Sequence, residues 1–289
     1  MKRIYIICCY ICLLIFSNVI KGEEEIPKKY ERIVTDSAIV SRVLDALDIE
    51  LVGAPSSMTQ IPERYKKVLK IGRAGSPDYE RIKNLNPDLV ITTTFSKPYT
   101  LSRYTELKIP TLYIDLEGYE TSKITLKNLG EILDRKELSE NIIKKIEERE
   151  KKLEKKLIDI PVKRVAVLYN LDDNLNIISE THFVSELLKK LGCTNVSKEV
   201  KGKINTRANV IPISFEQLIC LNPDYILKIS VIENEDDKLL NNEMLKVTNA
   251  YKNKKILNID STLFRMSSGI NGIDALEELY KIIYEEREK

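Results

Sequence analysis

The sequence predicts an α/β protein of two doubly wound α/β lobes, joined by one long interlobe helix, with a ligand cleft between them. Three observations carry that reading. The first is a repeat: Asp78–Ile91 recurs as Ser214–Leu227, 136 positions later. An aromatic (Tyr79, Phe215), a Glu (Glu80, Glu216), an aliphatic (Ile82, Leu218), a Leu (Leu85, Leu221) and Asn-Pro-Asp (Asn86-Pro87-Asp88, Asn222-Pro223-Asp224) coincide, each followed by an apolar run. A helix–turn–strand unit recurring at half the chain length reads as two similar lobes rather than a short-period solenoid. The second is a highly charged helical stretch between the two copies. The third is the alternation of strand and helix patterns, which favours parallel sheets.

In chain order, Met1-Lys2-Arg3 followed by an apolar run from Ile4 to Phe16 has the layout of a secretory signal, and is too short to span a bilayer comfortably. The expected signal is 1–22, with Gly22 at the cleavage site and an uncleaved anchor as the alternative. Cys8, Cys9 and Cys12 are preceded by Ile7, Cys8 and Ile11, so the sequence does not support lipid attachment. The first lobe is assigned to 30–135. Arg32-Ile33-Val34 reads as a strand, Ile39, Val40, Val43, Leu44 and Leu47 as one face of a helix, Leu51-Val52-Gly53 as a second strand and Ile71–Pro77 as a loop. In the first repeat, Tyr79, Ile82 and Leu85 follow helical spacing, Pro87 ends the helix, and Val90-Ile91-Thr92-Thr93 is a buried strand. Thr111–Asp115 is a later strand.

The interlobe helix is assigned to 136–160. Ile142, Ile146, Leu153 and Leu157 form a narrow apolar stripe, and Glu and Lys cover the rest as a wet face. About 20 helical residues span ~30 Å, enough to reach from one lobe to the other. The second lobe is 161–289. Its expected strands are Pro161–Tyr169, Ile177-Ile178-Ser179, the run after Pro223, and Lys255–Asp260. A helix through Phe183, Leu187, Leu188 and Leu191 is stopped by Gly192, and a C-terminal helix carries Leu276, Leu279, Ile282 and Ile283.

Three of the five Cys lie in the signal. Cys193 and Cys220 read as small core residues, with no disulfide framework. The chain has 46 basic and 44 acidic residues; without Lys2, Arg3 and Lys21 the balance is 43 to 44. A nearly neutral mature chain argues against nucleic-acid binding.

The blocks Arg32-Ile33-Val34, Leu51-Val52-Gly53, Ile71-Gly72, both Glu-containing repeats, Leu187–Val196 and Ser268-Gly269-Ile270 stand in an order that resembles the substrate-binding proteins of ABC importers for iron complexes, haem and vitamin B12. The resemblance runs from about Tyr30 to the C-terminus. Within that family, Arg32–Val52 and Ile61–Lys66 are especially similar to the haem-binding lipoproteins of the iron-regulated surface determinant system. The resemblance implies an exported, monomeric protein, periplasmic or at the cell surface. It would capture a small-molecule metal complex, haem favoured, and deliver it to an ABC permease dimer with its ATPase. Cobalamin or a ferric siderophore is the alternative cargo, and no catalytic cofactor is implied. It further implies that Glu80 and Glu216 dock onto basic pockets of the two permease subunits; a helix-start role is the competing reading. The iron ligands of the haem-binding members, a Met and a His, fall at Gly75 and Val231, neither of which can hold iron.

In doubly wound lobes, loops at the carboxyl ends of strands face the crevice. From those loops the candidate ligand-binding residues are Met58, Arg73, Tyr99, Tyr169, His182, Arg207 and Met266. Haem iron accepts His, Met or a tyrosinate, and arginine pairs with propionates. His182, the sole histidine, is the candidate metal ligand, weighed against a helix-start residue bonded to the backbone. A two-lobed enzyme of the nucleotide-sugar type needs a nucleotide signature or a general base. The chain has no Gly-x-Gly-x-x-Gly after a strand and no Gly-x-Ser-x-Gly elbow, so the expectation is a non-enzyme. An extracellular sensor shares the same fold and cleft.

Overall fold

A computed structural model describes residues 29–57, 61–169, 175–206, 208–230, 242–264 and 269–285. The first lobe opens with β1 (Ile33–Val34) and α1 (Ala38–Ala46), whose Val40, Val43 and Leu44 turn inward. The expected strand at Leu51–Gly53 is reduced to one bridge, Gly53 to Val34, held by Val52 N–H donating to Ile33 C=O (2.9 Å) and Thr35 N–H to Gly53 C=O (3.1 Å). Where the sequence suggested a plain loop, β2 (Gly72–Arg73) and β3 (Ser76–Pro77) pair as an antiparallel hairpin. Gly75, at φ +81°, supplies the left-handed residue that so tight a turn requires. Then follow α2 (Tyr79–Asn84), β4 (Leu89–Thr93), α3 (Lys97–Glu106), β5 (Thr111–Ile114) and α4 (Tyr119–Ile132). The strands pair in parallel in the order β1-β4-β5 over a core of Val34, Ile71, Ile82, Val90 and Tyr104.

Helix α5 (Lys136–Lys156) separates this sheet from the next; its 21 residues span about 31 Å. Ile146 and Leu153 of the expected stripe are buried in the second lobe's core, with Ile142 and Leu157 packed beside them. Burying such side chains contributes about 1.5–3 kcal/mol each. Arg149 fixes the helix further by donating to Glu277 (2.9 and 2.6 Å) and Asp274 (2.6 Å).

The second lobe comprises β6 (Arg164–Tyr169), β7 (Asn176–Ile178), α6 (Phe183–Lys190), β8 (Thr194–Asn195), β9 (Val210–Pro212), α7 (Phe215–Leu221), β10 (Tyr225–Ser230), α8 (Asn249–Lys252), β11 (Ile256–Asp260), α9 (Ser261–Phe264) and α10 (Gly272–Tyr284). The sheet order is β11-β10-β6-β7-β9, with β8 beside β6. This sheet is mixed: the parallel pairs the alternation favours are joined by antiparallel β6–β7 and β7–β9. The reason is chain length. Six residues separate β6 from β7, far short of the dozen or so that a parallel crossover needs. A correction concerns Cys220, which is exposed. It lies two residues past buried Leu218 and so points to the other side of α7. Cys193 is half-buried, its Sγ 3.2 Å from the Tyr284 hydroxyl, and burial pushes its thiol up to about 11.

The repeat has a clear physical cause. Asn86 and Asn222 take φ +46° and +41°, a left-handed conformation that Asn tolerates better than most side chains. The chain then reverses into the strand. Asp88 Oδ2 accepts the backbone amides of Glu31 (2.7 Å) and Arg32 (3.0 Å), and Asp224 Oδ2 accepts that of Arg164 (2.9 Å). In return, Arg32 donates to the Leu85 carbonyl (2.6 Å) and Arg164 to the Leu221 carbonyl (2.9 Å), each capping the C-terminal end of its helix. Each Asn-Pro-Asp thus ties a helix end to the first strand of its own lobe. The arginines belong to the repeat as much as the carboxylates do.

The lobes also meet beside α5. Glu186 of α6 accepts the Tyr119 amide at 2.8 Å, so a second-lobe carboxylate sits at the N-terminus of α4, where the helix dipole favours it. Glu150 of α5 pairs with Lys123 (3.0 Å) from one side and Lys190 (3.4 Å) from the other.

Candidate functional site

The carboxyl ends of the parallel strands gather the cleft-facing loops. By that rule the first lobe contributes Thr35–Ser37 after β1 and Thr94–Ser96 after β4, of which Thr35, Asp36, Ser37 and Ser96 are buried, and the β2–β3 hairpin lies near α3. The second contributes the ends of β6, β10 and β11.

Tyr99 lies in the first turn of α3 and is 55% exposed. Its ring covers the hairpin tip: a Cβ added to Gly75 would sit 3.6 Å from Tyr99 Cδ2. Phe95 packs beside it, ring centroids 6.3 Å apart and tilted by 49°. Arg73 is exposed on the same hairpin. The structure therefore brings Arg73, Gly75, Phe95 and Tyr99 together on one rim of the first lobe. Arg73 and Tyr99, 26 positions apart in sequence, are thus neighbours only through the fold.

The other candidates stand differently. Tyr169 is 7% exposed, at the end of β6 in the second-lobe core. His182 is 5% exposed and is the N-cap of α6: its Nδ1 accepts the Val184 amide at 3.2 Å, and its ring stacks on Phe183 at 5.2 Å. It has the backbone-bonded, helix-start geometry that was weighed against metal ligation. Met58, Arg207, Met266 and Val231 lie outside the described residues.

Glu80 and Glu216 occupy the same place, the second residue of helices α2 and α7, and both are exposed. Neighbours carry out the capping. Asp78 accepts the Arg81 amide (3.0 Å), while Ser214 and Gln217 form a reciprocal capping box. The Ser214 hydroxyl and the backbone amide of Glu216 hold the Glu216 carboxyl below the usual range.

One group escaped the sequence reading. Asp36, immediately after β1, is 1% exposed, and burial pushes its carboxyl from 3.8 up to about 6. A hydrogen bond from Thr92 opposes the shift. The only sequence signal was its place in a strand-end loop, where Asp ordinarily reads as solvated.

A family model described as periplasmic binding protein matches residues 33–263, and the chain belongs to that family. The family consists of binding proteins, which removes the nucleotide-sugar-type enzyme from consideration. Among relatives, the high-affinity heme uptake system protein IsdE of Staphylococcus aureus (strain bovine RF122 / ET3-1) is 25% identical over 292 residues, covering 96% of this chain and 98% of that protein. An ABC transporter substrate-binding protein from Listeria monocytogenes EGD-e superposes with a TM-score of 0.77 at 26% identity, over 90% of this chain and 100% of that one. S. aureus IsdE complexed with heme (TM-score 0.75, 24% identity, 89% and 100% coverage) and S. aureus SirA complexed with staphyloferrin B (0.70, 22%, 90% and 94%) share the two-lobed fold. Among the described residues, no helix is long and apolar enough to cross a membrane.

Proposed function

We propose that this chain is the exported receptor of an ABC importer, and that it captures an iron macrocycle, haem in preference to cobalamin or a ferric siderophore, in the cleft between its lobes. The observation that carries the haem reading is the Tyr99 rim. The sequence resemblance implies that Gly75 falls where haem-binding members carry their Met, and the exposed Tyr99 ring lies against Gly75. A tyrosinate is an established ferric-haem ligand. Iron bound at that oxygen takes the place of the phenol proton, which leaves to solvent. Phe95 and the Tyr99 ring offer an aromatic wall for the macrocycle, and the guanidinium of Arg73 suits a propionate. His182 keeps its cap role in this scheme. The loaded protein, a monomer, would present Glu80 and Glu216 to the two halves of a permease dimer with its ATPase.

Haem titration of the mature protein and of Tyr99→Phe tests the reading. The parent is expected to give a tyrosinate-type ferric spectrum. Tyr99→Phe is expected to lose that signature and about tenfold or more in affinity, ~1.4 kcal/mol. His182→Ala should leave the spectrum unchanged while costing about 0.5–2 kcal/mol of stability as a lost cap. An unchanged spectrum in Tyr99→Phe would remove Tyr99, and a spectrum altered in His182→Ala would return the iron to the histidine.

A further inference from the structure

The two carboxylate oxygens of buried Asp36 have unequal surroundings. Oδ1 accepts the Thr92 hydroxyl at 2.5 Å, whereas Oδ2 is buried with no hydrogen-bond partner. Thr92 Oγ1 is 2.8 Å from Ser96 Oγ, and Ser96 Oγ is 2.8 Å from the Thr93 carbonyl. The Ser96 carbonyl accepts the Thr100 hydroxyl at 3.0 Å, and Thr100 Oγ1 lies 3.0 Å from the Tyr113 hydroxyl. A relay of hydroxyls therefore runs from Asp36 at the end of β1 through Thr92 to Ser96 at the start of α3, and the Ser96 carbonyl separately holds Thr100 in the first turn of that helix.

Counting protons along the relay distinguishes its two states. With Asp36 ionised, Thr92 spends its only hydroxyl proton on Oδ1. Ser96 must then choose between Thr92 and the Thr93 carbonyl, and a charged Oδ2 stays unpartnered in the interior, which is costly. With the proton on Oδ1, Asp36 donates to Thr92, Thr92 to Ser96 and Ser96 to the Thr93 carbonyl. Every bond then has one donor and one acceptor, and Oδ2 is the carbonyl oxygen of a neutral acid.

We propose that Asp36 is a proton-binding positioning residue: protonated, it fixes the first turn of α3, and with it the Tyr99 rim, and ionised, it loosens that turn. The functional consequence rests on the reading of Tyr99 as a ligand-facing residue; the switch itself does not. The surrounding titratable groups are phenols. Tyr79 on α2 and Tyr104 on α3 are both pushed up, first by burial and then by the Asp36 charge. The Tyr104 hydroxyl is also buried without a partner, and Tyr113 of β5 joins through Thr100. Arg42 on α1 is itself lowered by burial. Burial dominates the Asp36 shift, opposed by the Thr92 hydroxyl and its own backbone amide, and no cation contributes. Because the folded-state value is raised from 3.8 to about 6, the stabilisation is fully present below the unfolded value and is lost as pH rises through about 6.

Hydrogen–deuterium exchange of the ligand-free full chain between pH 5 and 8, corrected for intrinsic exchange, tests this. Protection of the amides of residues 99–104 is expected to fall by about tenfold across this window and to level off above about 6. Asp36→Asn, whose amide donates to Thr92 as the neutral acid does, should abolish the step and stay protected throughout. Thr92→Val removes the bond favouring the ionised form and should move the pH at which the loss levels off upward. A pH-independent wild type, or a step that persists in Asp36→Asn, overturns the proposal. Haem titrations over the same range separate the two claims. No haem binding at any pH strikes the cargo reading alone, whereas haem affinity that steps identically in wild type and Asp36→Asn strikes the link from Asp36 to Tyr99.

Discussion

Reversing both repeat carboxylates, Glu80→Lys with Glu216→Lys, is expected to abolish uptake while leaving ligand affinity and the fold nearly intact. Both side chains are exposed one position into their helices, and the capping bonds come from Asp78, Ser214 and Gln217. Glu80→Lys therefore breaks no cap, and Glu216→Lys removes only the bonds its carboxylate makes with the Ser214 hydroxyl and its own amide. A cation in a first turn opposes the helix dipole by about 0.3–1 kcal/mol each, a small loss. Facing basic pockets on a permease is a different matter, because like charges brought together cost several kcal/mol. Association should weaken by on the order of 100-fold or more, and each single reversal should give a partial defect. Vesicle uptake together with permease pull-down measures the effect. Normal uptake by the double variant would leave these carboxylates as helix-start residues only.

A second large effect is expected at Gly130, in α4 where it crosses α5. A Cβ there would overlap Ser139 Oγ, come within 2.5 Å of Ser139 Cβ and lie 3.2 Å from the Arg135 carbonyl. Ser139 is itself buried and donates to the Lys136 carbonyl at 2.8 Å, so it has nowhere to move. Propensity alone says that Gly→Ala in a helix stabilises by roughly 0.5–1 kcal/mol. Packing should reverse that sign. Overpacking in a dense interior typically costs about 1–3 kcal/mol, and Gly130→Ala is expected in that range by denaturant unfolding. Adding Ser139→Gly should recover most of the loss, a coupling of about 1 kcal/mol or more. A neutral Gly130→Ala would mean that the helices are not as close as described.

The two-lobed plan was legible because the Asn-Pro-Asp unit is local chemistry: a left-handed Asn, a helix-ending Pro and an Asp that ties the turn to the lobe's first strand. Arg32 and Arg164 were equally readable, 132 positions apart, but their meaning depends on carbonyls more than 50 residues away. The interlobe helix showed itself through its narrow stripe. What went unread depended on connection length or on burial. The antiparallel β7 followed from the short link after β6, the hairpin from Gly72 and Gly75 at positive φ, and the exposure of Cys220 from its angle around α7. At the candidate site, composition pointed to Tyr, Arg and His in strand-end loops, but proximity decided among them. Tyr99 over Gly75 is a tertiary juxtaposition. His182 as a helix cap was readable from its place before an apolar helix. Asp36 was not, since nothing in a strand-end Asp announces a buried relay.

The most direct measurement is a titration of the purified mature protein with haem, cobalamin and ferric siderophores, followed by visible absorption and tryptophan-independent calorimetry, since the chain has no Trp. The account predicts one tight ligand, haem, at one molecule per chain, with a Soret band that responds to Tyr99→Phe. Tight binding of a corrinoid or siderophore instead would keep the receptor and replace its cargo. Binding of none of the three would contradict the account.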